Sequence, residues 1–359
     1  MSRAMRSDYM HWAKFKPPVR YNLSGSEVPH VRMDALKWIV ADLDLDGASH
    51  PRYLRLRQAI GQRYNVPADM VVTTDGTSMA NMLALATLVV PGDEVLVEHP
   101  AYEPLLAAVS FAGGKVRRFE RRPEDGFRLD PAAVDAAITD ATRLVVLTNL
   151  HNPSGVLAGE DELAAIGALA SARGARVLID EVYLDAATPR PRSAVHLGPE
   201  FVTTGSLTKV YGLSSLRCGW ILAEPALAER IWRLNDLFVV NRAHADERLA
   251  CIAFEQLDAV IGDSPALLQR NRDLFNDFLT RRKDLECAPA VHGITAFPRW
   301  SGGDTERLDA VLHDRYDTAI VPGRWFEFPN HFRIGFGVEP DDFADGLSRL
   351  SAALDDLGA

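Results

Sequence analysis

The sequence predicts a three-layer α/β protein: a large domain whose mostly parallel central sheet is covered on both faces by helices, joined to a smaller α+β domain. Three observations carry this. From about residue 53 short β-branched runs alternate with stretches of helical period, the pattern that strand–helix–strand crossovers produce. After Pro225 the texture changes to long polar-faced helices and then to short mixed segments, which marks a second unit. The 359 residues are enough for two units of ordinary size. We expect the large domain over 44–245 and the small one over 1–43 together with 246–359.

Taken in order, Leu56, Ala59, Ile60 and Arg63 recur at helical spacing, "VVTT" at Val71 reads as a strand, and Met79, Met82, Leu83 and Ala86 restore the helical stripe. Further strands are expected in "EVLVE" from Glu94, "KVRRFE" from Lys115, "RLVVLTN" from Arg143, "RVLIDE" from Arg176, "FVTTGS" from Phe201 and "CGWILA" from Cys218, with a helix over 160–173. Functional groups in such a sheet gather beyond the carboxyl ends of the strands. Helices are then expected over 225–240, 245–261 and 265–286, followed by strands in "ITAFPR", "TAIV" and "HFRIGFG" and a last helix over 340–357.

Composition narrows the function classes. Apolar residues at 47% and charged residues at 25% describe a soluble globular chain with a sizeable core. The formal net charge of −10 opposes binding to nucleic acid or an anionic membrane by general attraction, so any bound anion must be held by local donors. The opening "MSRAMRSDYMHWAKFKPP" has no apolar core like a signal peptide's, and the longest apolar run, 82–90, is too short to span a bilayer; a cytoplasmic location is expected. Cys218, Cys251 and Cys287 are scattered and odd in number, which fits reduced core thiols. The ten histidines show no zinc-site spacing, and no metal is expected.

One stretch asks for an explanation: "GSLTKVYGLSSLRCGW" sets Lys209 among the hydroxyls of Ser206 and Thr208 and follows it eight residues later with Arg217. A lone lysine is usually surface charge, and such an arginine usually makes a structural ion pair. Other strand ends offer compatible groups. "TTDGTSMA" places Gly76, Thr77 and Ser78 at a helix start, where free N–H groups and hydroxyls can seat an anion, although Thr or Ser there is more often a cap. "LTNLHNPSG" presents Asn152 before Pro153, by itself an Asn-Pro turn. "VLIDEVYLD" ends an apolar strand on Asp180 with Tyr183 three residues on, and a carboxylate buried there calls for a cationic partner or a proton to hold. In "HPAYEPL", Tyr102 is placed to lie against a heteroaromatic ring or simply to pack a loop.

The ordered set "DGTS", "PAY", "HNPSG", "DEVY", "SLTK" and "LRCGW" resembles the class I/II aminotransferases, enzymes of fold type I built around pyridoxal 5′-phosphate (PLP). The resemblance runs from about Leu23 to the last helix. It implies that Lys209 forms the Schiff base to the cofactor, that Asp180 partners the pyridine nitrogen, and that Tyr183 and Asn152 hydrogen-bond the phenolic oxygen. It further implies that Gly76, Thr77, Ser78, Ser206, Thr208 and Arg217 surround the phosphate and that Tyr102 stacks on the ring. Arg333, in "FRIGFG", matches the arginine that grips the substrate α-carboxylate, and Gly25, in "NLSGSE", the glycine that closes over substrate.

PLP conjugated to a substrate amine is an electron sink for the Cα carbanion, a carboxylate such as Asp180 favours the protonated ring nitrogen, and a freed lysine amine such as that of Lys209 can shuttle the proton. Transamination between an α-amino acid and a 2-oxo acid is therefore the leading expectation. The resemblance also implies a homodimer with active sites between subunits; the tyrosine that relatives send to the neighbouring phosphate has no counterpart at its usual spacing in "GASHPRYLRLRQAI", where Tyr53 is the nearest substitute. The segments "GITAFPRW" and "IVPGRWFEFPNHFRIGFG" are similar to capreomycidine-synthase-type enzymes, which implies an alternative: elimination and cyclisation of a hydroxylated arginine-like amino acid. A third reading, a PLP-sensing domain like those fused to winged-helix regulators, predicts a basic DNA-binding module ahead of this region, where a short tail precedes Leu23.

Overall fold

The computed structural model describes residues 6–46 and 50–358. Helix α1 (Asp8–Phe15), capped by Ser7, leads to the short strand β1 (Tyr21–Asn22). The central sheet is built from β2 (Val71–Asp75), β3 (Glu94–His99), β4 (Lys115–Glu120), β5 (Thr142–Thr148), β6 (Arg176–Asp180), β7 (Phe201–Ser206) and β8 (Cys218–Leu222). Between and around them run α2 (Leu54–Tyr64), α3 (Thr77–Leu88), α4 (Glu103–Ala112), α5 (Pro131–Ala137), α6 (Glu160–Ser171) and α7 (Pro225–Asn235). All seven strands expected from the sequence form one sheet, in the order β2-β8-β7-β6-β5-β3-β4.

Every neighbouring pair is parallel except those made by β8, which runs against both β2 and β7. Two consequences follow. The strands alternate side chains into two separate cores: Val97, Val146, Leu178 and Ile221 pack under α3, α4 and α7 on one face, while Leu147, Val177, Ile179 and Phe201 pack under α5 and α6 on the other. Burial on both faces is why inner strands such as β5 and β6 read as nearly unbroken apolar runs, whereas the edge strand β4 is mostly exposed. In addition, the carboxyl ends of β2, β3, β5, β6 and β7 and the amino end of β8 all meet at one edge of the sheet.

The remaining chain forms α8 (His244–Glu255), α9 (Leu257–Ile261), α10 (Ser264–Thr280), β9 (Leu285–Glu286), β10 (Thr295–Ala296), β11 (Arg299–Trp300), α11 (Thr305–Tyr316), β12 (Thr318–Ala319), β13 (Val321–Pro322), β14 (Phe332–Gly335) and α12 (Pro340–Gly358). The N-terminal segment joins this part: β1 pairs in parallel with β12, and Gly335 N donates to Leu23 O at 2.8 Å. A Cβ on Gly335 would lie 1.9 Å from Gly25 O, so only glycine permits that approach.

Three helices are shorter than periodicity suggests. The one starting at Pro225 stops at Asn235, leaving Leu237, Phe238 and Val240 exposed. The one expected over 245–261 breaks at Gln256, whose backbone leaves the helical region, and α10 ends at Thr280 because Leu285 and Glu286 pair with β11. Backbone pairing with a distant strand overrides local propensity here.

Candidate active site

The edge where the strand ends meet opens into a cavity of about 600 Å³. Its walls include Gly25, Thr77, Ser78, Tyr102, Asn152, Asp180, Tyr183, Ser206, Thr208, Lys209, Arg217 and Arg333, so the sequence-predicted residues converge, with Gly76 directly behind Arg217. A larger cleft of about 1120 Å³, between Phe127, Val156, Cys287 and His331, has no lysine and no buried carboxylate among the described residues that line it.

Asp180 ends β6 and is buried. Its Oδ2 accepts from Asn81 Nδ2 at 2.7 Å, its Oδ1 from Val182 N at 3.0 Å, and Thr204 Oγ1 donates to Asn81 Oδ1 at 2.7 Å, fixing which end of the amide faces the carboxylate. Burial pushes the Asp180 carboxyl up to about 6, against the Asn81 and Val182 hydrogen bonds and the Lys209 charge. Asn81 escaped the sequence reading; its signal is a lone amide four residues after Thr77 on the inward stripe of an otherwise apolar helix.

Lys209 follows β7, and its carbonyl accepts from Val28 N at 2.9 Å, tying the loop to the N-terminal segment. Its Nζ lies 3.5 Å from Glu27 Oε2, with both side chains about one-third exposed to the cavity. Arg333, on β14, is buried: Nη1 donates to Asn152 Oδ1 at 3.0 Å, and Nη2 to Tyr9 OH and to Ser24 O, each at 3.1 Å. Thr148 orders the turn to Asn152, its hydroxyl accepting from Asn152 N at 2.9 Å and donating to the buried Glu98 at 2.7 Å, which Arg121 holds in turn at 2.8 Å. Burial raises the Tyr183 phenol to about 12, against the pull of Arg333 and a hydrogen bond from Ser26. Tyr102 meets Tyr9 edge-on, 5.7 Å between centroids, and its hydroxyl reaches Met10 Sδ at 3.2 Å.

The phosphate-sized end is formed by Gly76, the start of α3 and Arg217. Thr77 Oγ1 is buried there with no hydrogen-bond partner among the described residues. Gly76 has φ +81, and a Cβ on it would lie 2.4 Å from Arg217 Nη2, so the glycine makes room for the guanidinium. Arg217 itself takes a left-handed φ of 46; Arg242 Nη2 donates to its carbonyl at 3.0 Å while Arg242 Nε bonds Asp75 Oδ1 at 2.8 Å, clamping the two loops together. An orphaned hydroxyl, free helix N–H groups and an arginine fit a phosphate, and a buried carboxylate across the cavity fits a pyridine nitrogen.

Two expectations need comment. Tyr53 is buried, accepting from Arg248 Nη1 at 2.9 Å, and so faces inward; residues 47–49 of the same stretch lie outside the described residues. The histidines, dispersed in sequence, do come together in one place with a carboxylate: ligand atoms of Asp44, His50 and His244 lie within 4.8 Å of one another, away from this cavity.

Comparison with known proteins agrees with the geometry. The profile of the family "Aminotransferase class I and II" matches residues 20–350. Capreomycidine synthase of Streptomyces vinaceus is 33% identical over 305 residues, covering 84% of this chain and 78% of that one. Among solved structures, a PLP-dependent aminotransferase from Streptococcus suis superimposes with a TM-score of 0.91 at 22% identity over 99% of each chain. The PLP-dependent cyclase OrfR does so with 0.88 at 28% identity, over 99% of this chain and 98% of that one. Fold and site define a PLP-dependent transferase of fold type I. The chain belongs to the class I and II aminotransferase family.

Among the described residues no helix is long and apolar enough to cross a membrane.

Proposed function

We propose that this chain is an aminotransferase that moves the amino group of an α-amino acid to a 2-oxo acid, with Lys209 as the cofactor-bearing lysine and proton carrier. The convergence of Lys209, the buried Asp180 and the Arg333–Asn152 pair on one cavity carries this reading. When bound, PLP supplies an electron sink conjugated to the substrate nitrogen. Asp180 then holds the proton of the ring nitrogen through opposite charge, and Asn81 keeps that carboxylate aimed. Arg217, Gly76, Thr77, Ser78, Ser206 and Thr208 would seat the phosphate, and Tyr102 would lie against the ring. Asn152, whose amide oxygen accepts from Arg333 Nη1, would have its amide nitrogen free to donate to the phenolic oxygen, and Tyr183 would bond that oxygen too. Arg333 would orient the substrate α-carboxylate, Gly25 would line the cover over it, and Lys209 Nζ would take and give back the proton at the substrate Cα.

The proposal includes a homodimer. Ile39, Val40, Leu45 and Leu54, and Leu237, Phe238 and Val240 just before α8, are large apolar side chains left exposed on the single chain, as a subunit face would be.

A second reading, elimination and cyclisation of a hydroxylated arginine-like amino acid, is favoured by the identity with capreomycidine synthase and with the cyclase OrfR. Incubating holoprotein with single amino acids and a 2-oxo acid separates the two. Transamination yields a new 2-oxo acid and an aminated acceptor in equal amounts; elimination yields a dehydrated product and no aminated acceptor. Borohydride reduction followed by peptide mapping should place the cofactor mass on Lys209, and mass on any other lysine removes the assignment.

A further inference from the structure

Two lysines of the cavity wall, Lys14 and Lys16, have no task in this mechanism, and Lys16 is the more buried. Lys16, which caps the C-terminus of α1, lines the cavity beside Tyr9, Trp12 and Lys14. Its Nζ touches Ser24 Oγ and lies 5.0 Å from the Trp12 ring centroid. Ser24 joins it to the carboxylate-binding arginine: the Ser24 hydroxyl donates to Asn22 Oδ1 at 2.6 Å and so turns a lone pair to Lys16, while Ser24 O accepts from Arg333 Nη2 at 3.1 Å. Two cations thus stand on one wall of the cavity, a single residue between them.

No carboxylate of the described residues comes within 4.0 Å of Lys16 Nζ. Of the acids that line the cavity, Asp180 is held by Asn81, and Glu27 lies 3.5 Å from Lys209 Nζ rather than against Lys16. Asp309 on α11 acts on Lys16 only from a distance, and its Oδ1 accepts from Ile320 N at 3.4 Å. Burial pushes the Lys16 ammonium down to about 8, Asp309 pulls it up, and Arg333 pushes it further down. A half-buried ammonium beside a guanidinium, with its nearest carboxylate out of contact, is costly unless a ligand supplies a closer anion.

We propose that Lys16 and Arg333 together form a two-point anion receptor, so that the substrate of this site carries a second anionic group, a carboxylate or a phosphate, at the end of its side chain. The inference rests on the assignment of Arg333 to the α-carboxylate.

Non-reacting ligands test it without relying on turnover. Holoprotein is titrated calorimetrically with glutarate, 3-phosphonopropionate, butyrate and 4-guanidinobutyrate. We expect glutarate or the phosphonate to bind about 10- to 100-fold more tightly than butyrate, the worth of one charge-assisted hydrogen bond, with the tighter of the two naming the anion. Lys16→Met should abolish that preference while retaining butyrate binding, and Lys16→Arg should restore most of it. Equal binding of butyrate and glutarate, tighter binding of 4-guanidinobutyrate, or a uniform loss for every ligand in Lys16→Met would overturn the proposal. Because none of these ligands transfers an amino group, Lys16-dependent glutarate binding in a protein that fails to transaminate would refute the reaction and leave the receptor standing.

Discussion

Asn81 on α3 and Asp180 at the end of β6, 99 residues apart, meet in a buried 2.7 Å hydrogen bond that fixes the carboxylate at the floor of the cavity. Replacing Asn81 by Ala removes that donor and also orphans Thr204 Oγ1, which bonds the other end of the amide. Unpaired buried polar groups cost ~1–3 kcal/mol. Asn81→Ala should therefore lower the melting temperature and weaken cofactor retention on dialysis; a variant that melts and holds cofactor like the parent would show that the pair is dispensable.

The raised Asp180 carboxyl has a pH signature in cofactor-free protein. The folded chain binds this proton more tightly than the unfolded chain, so the group favours folding below about pH 4, and that contribution is lost as pH rises through about 6. Glu181 and Glu247, both pushed up to about 7 by burial, titrate nearby and cancel in a comparison with Asp180→Asn. The asparagine variant should gain stability relative to the parent between pH 4 and pH 7, on the order of 3 kcal/mol, and lose activity because it cannot ionise. Parallel stability curves for the two proteins would contradict the burial argument.

Gly76→Ala should empty the phosphate seat. Its φ of +81 and ψ of 172 belong to a region that essentially only glycine visits, and the new methyl would displace the Arg217 guanidinium. We expect a folded protein, less stable by ~1–3 kcal/mol, that releases PLP during equilibrium dialysis. Unchanged PLP retention would separate Gly76 and Arg217 from cofactor binding.

Arg333→Lys tests the carboxylate grip. A lysine keeps the charge but cannot satisfy Asn152, Tyr9 and Ser24 from one planar group while presenting paired donors to a carboxylate. Steady-state kinetics should show kcat/KM lower by roughly 10- to 100-fold, carried mainly by KM. A fall confined to kcat would assign Arg333 to the chemical step instead.

Much of this molecule is written locally. The inner strands are legible because they are buried on both faces, the edge strand β4 by its β-branched and aromatic residues alone, and Lys209, Asp180, Asn152 and Gly76 are legible because each sits at or just beyond a strand end. Helix lengths are less so: α10 stops at Thr280 for a pairing with β11 that no local pattern announces. Tyr9 and Lys16 lie in a tail whose periodicity points nowhere, and they reach the cavity through contacts with Arg333, Tyr102 and Ser24.

By itself, then, the order of residues determined the layered sheet, the coenzyme and the groups at the strand ends, since burial and backbone geometry impose those over a few neighbouring positions. Tertiary structure alone decided that Asn81 would steady Asp180, that Arg242 would clamp the Arg217 loop, and that a lysine from the N-terminal tail would stand next to Arg333. Such pairings depend on where separate chain segments pack, and packing brings together side chains that are remote in sequence.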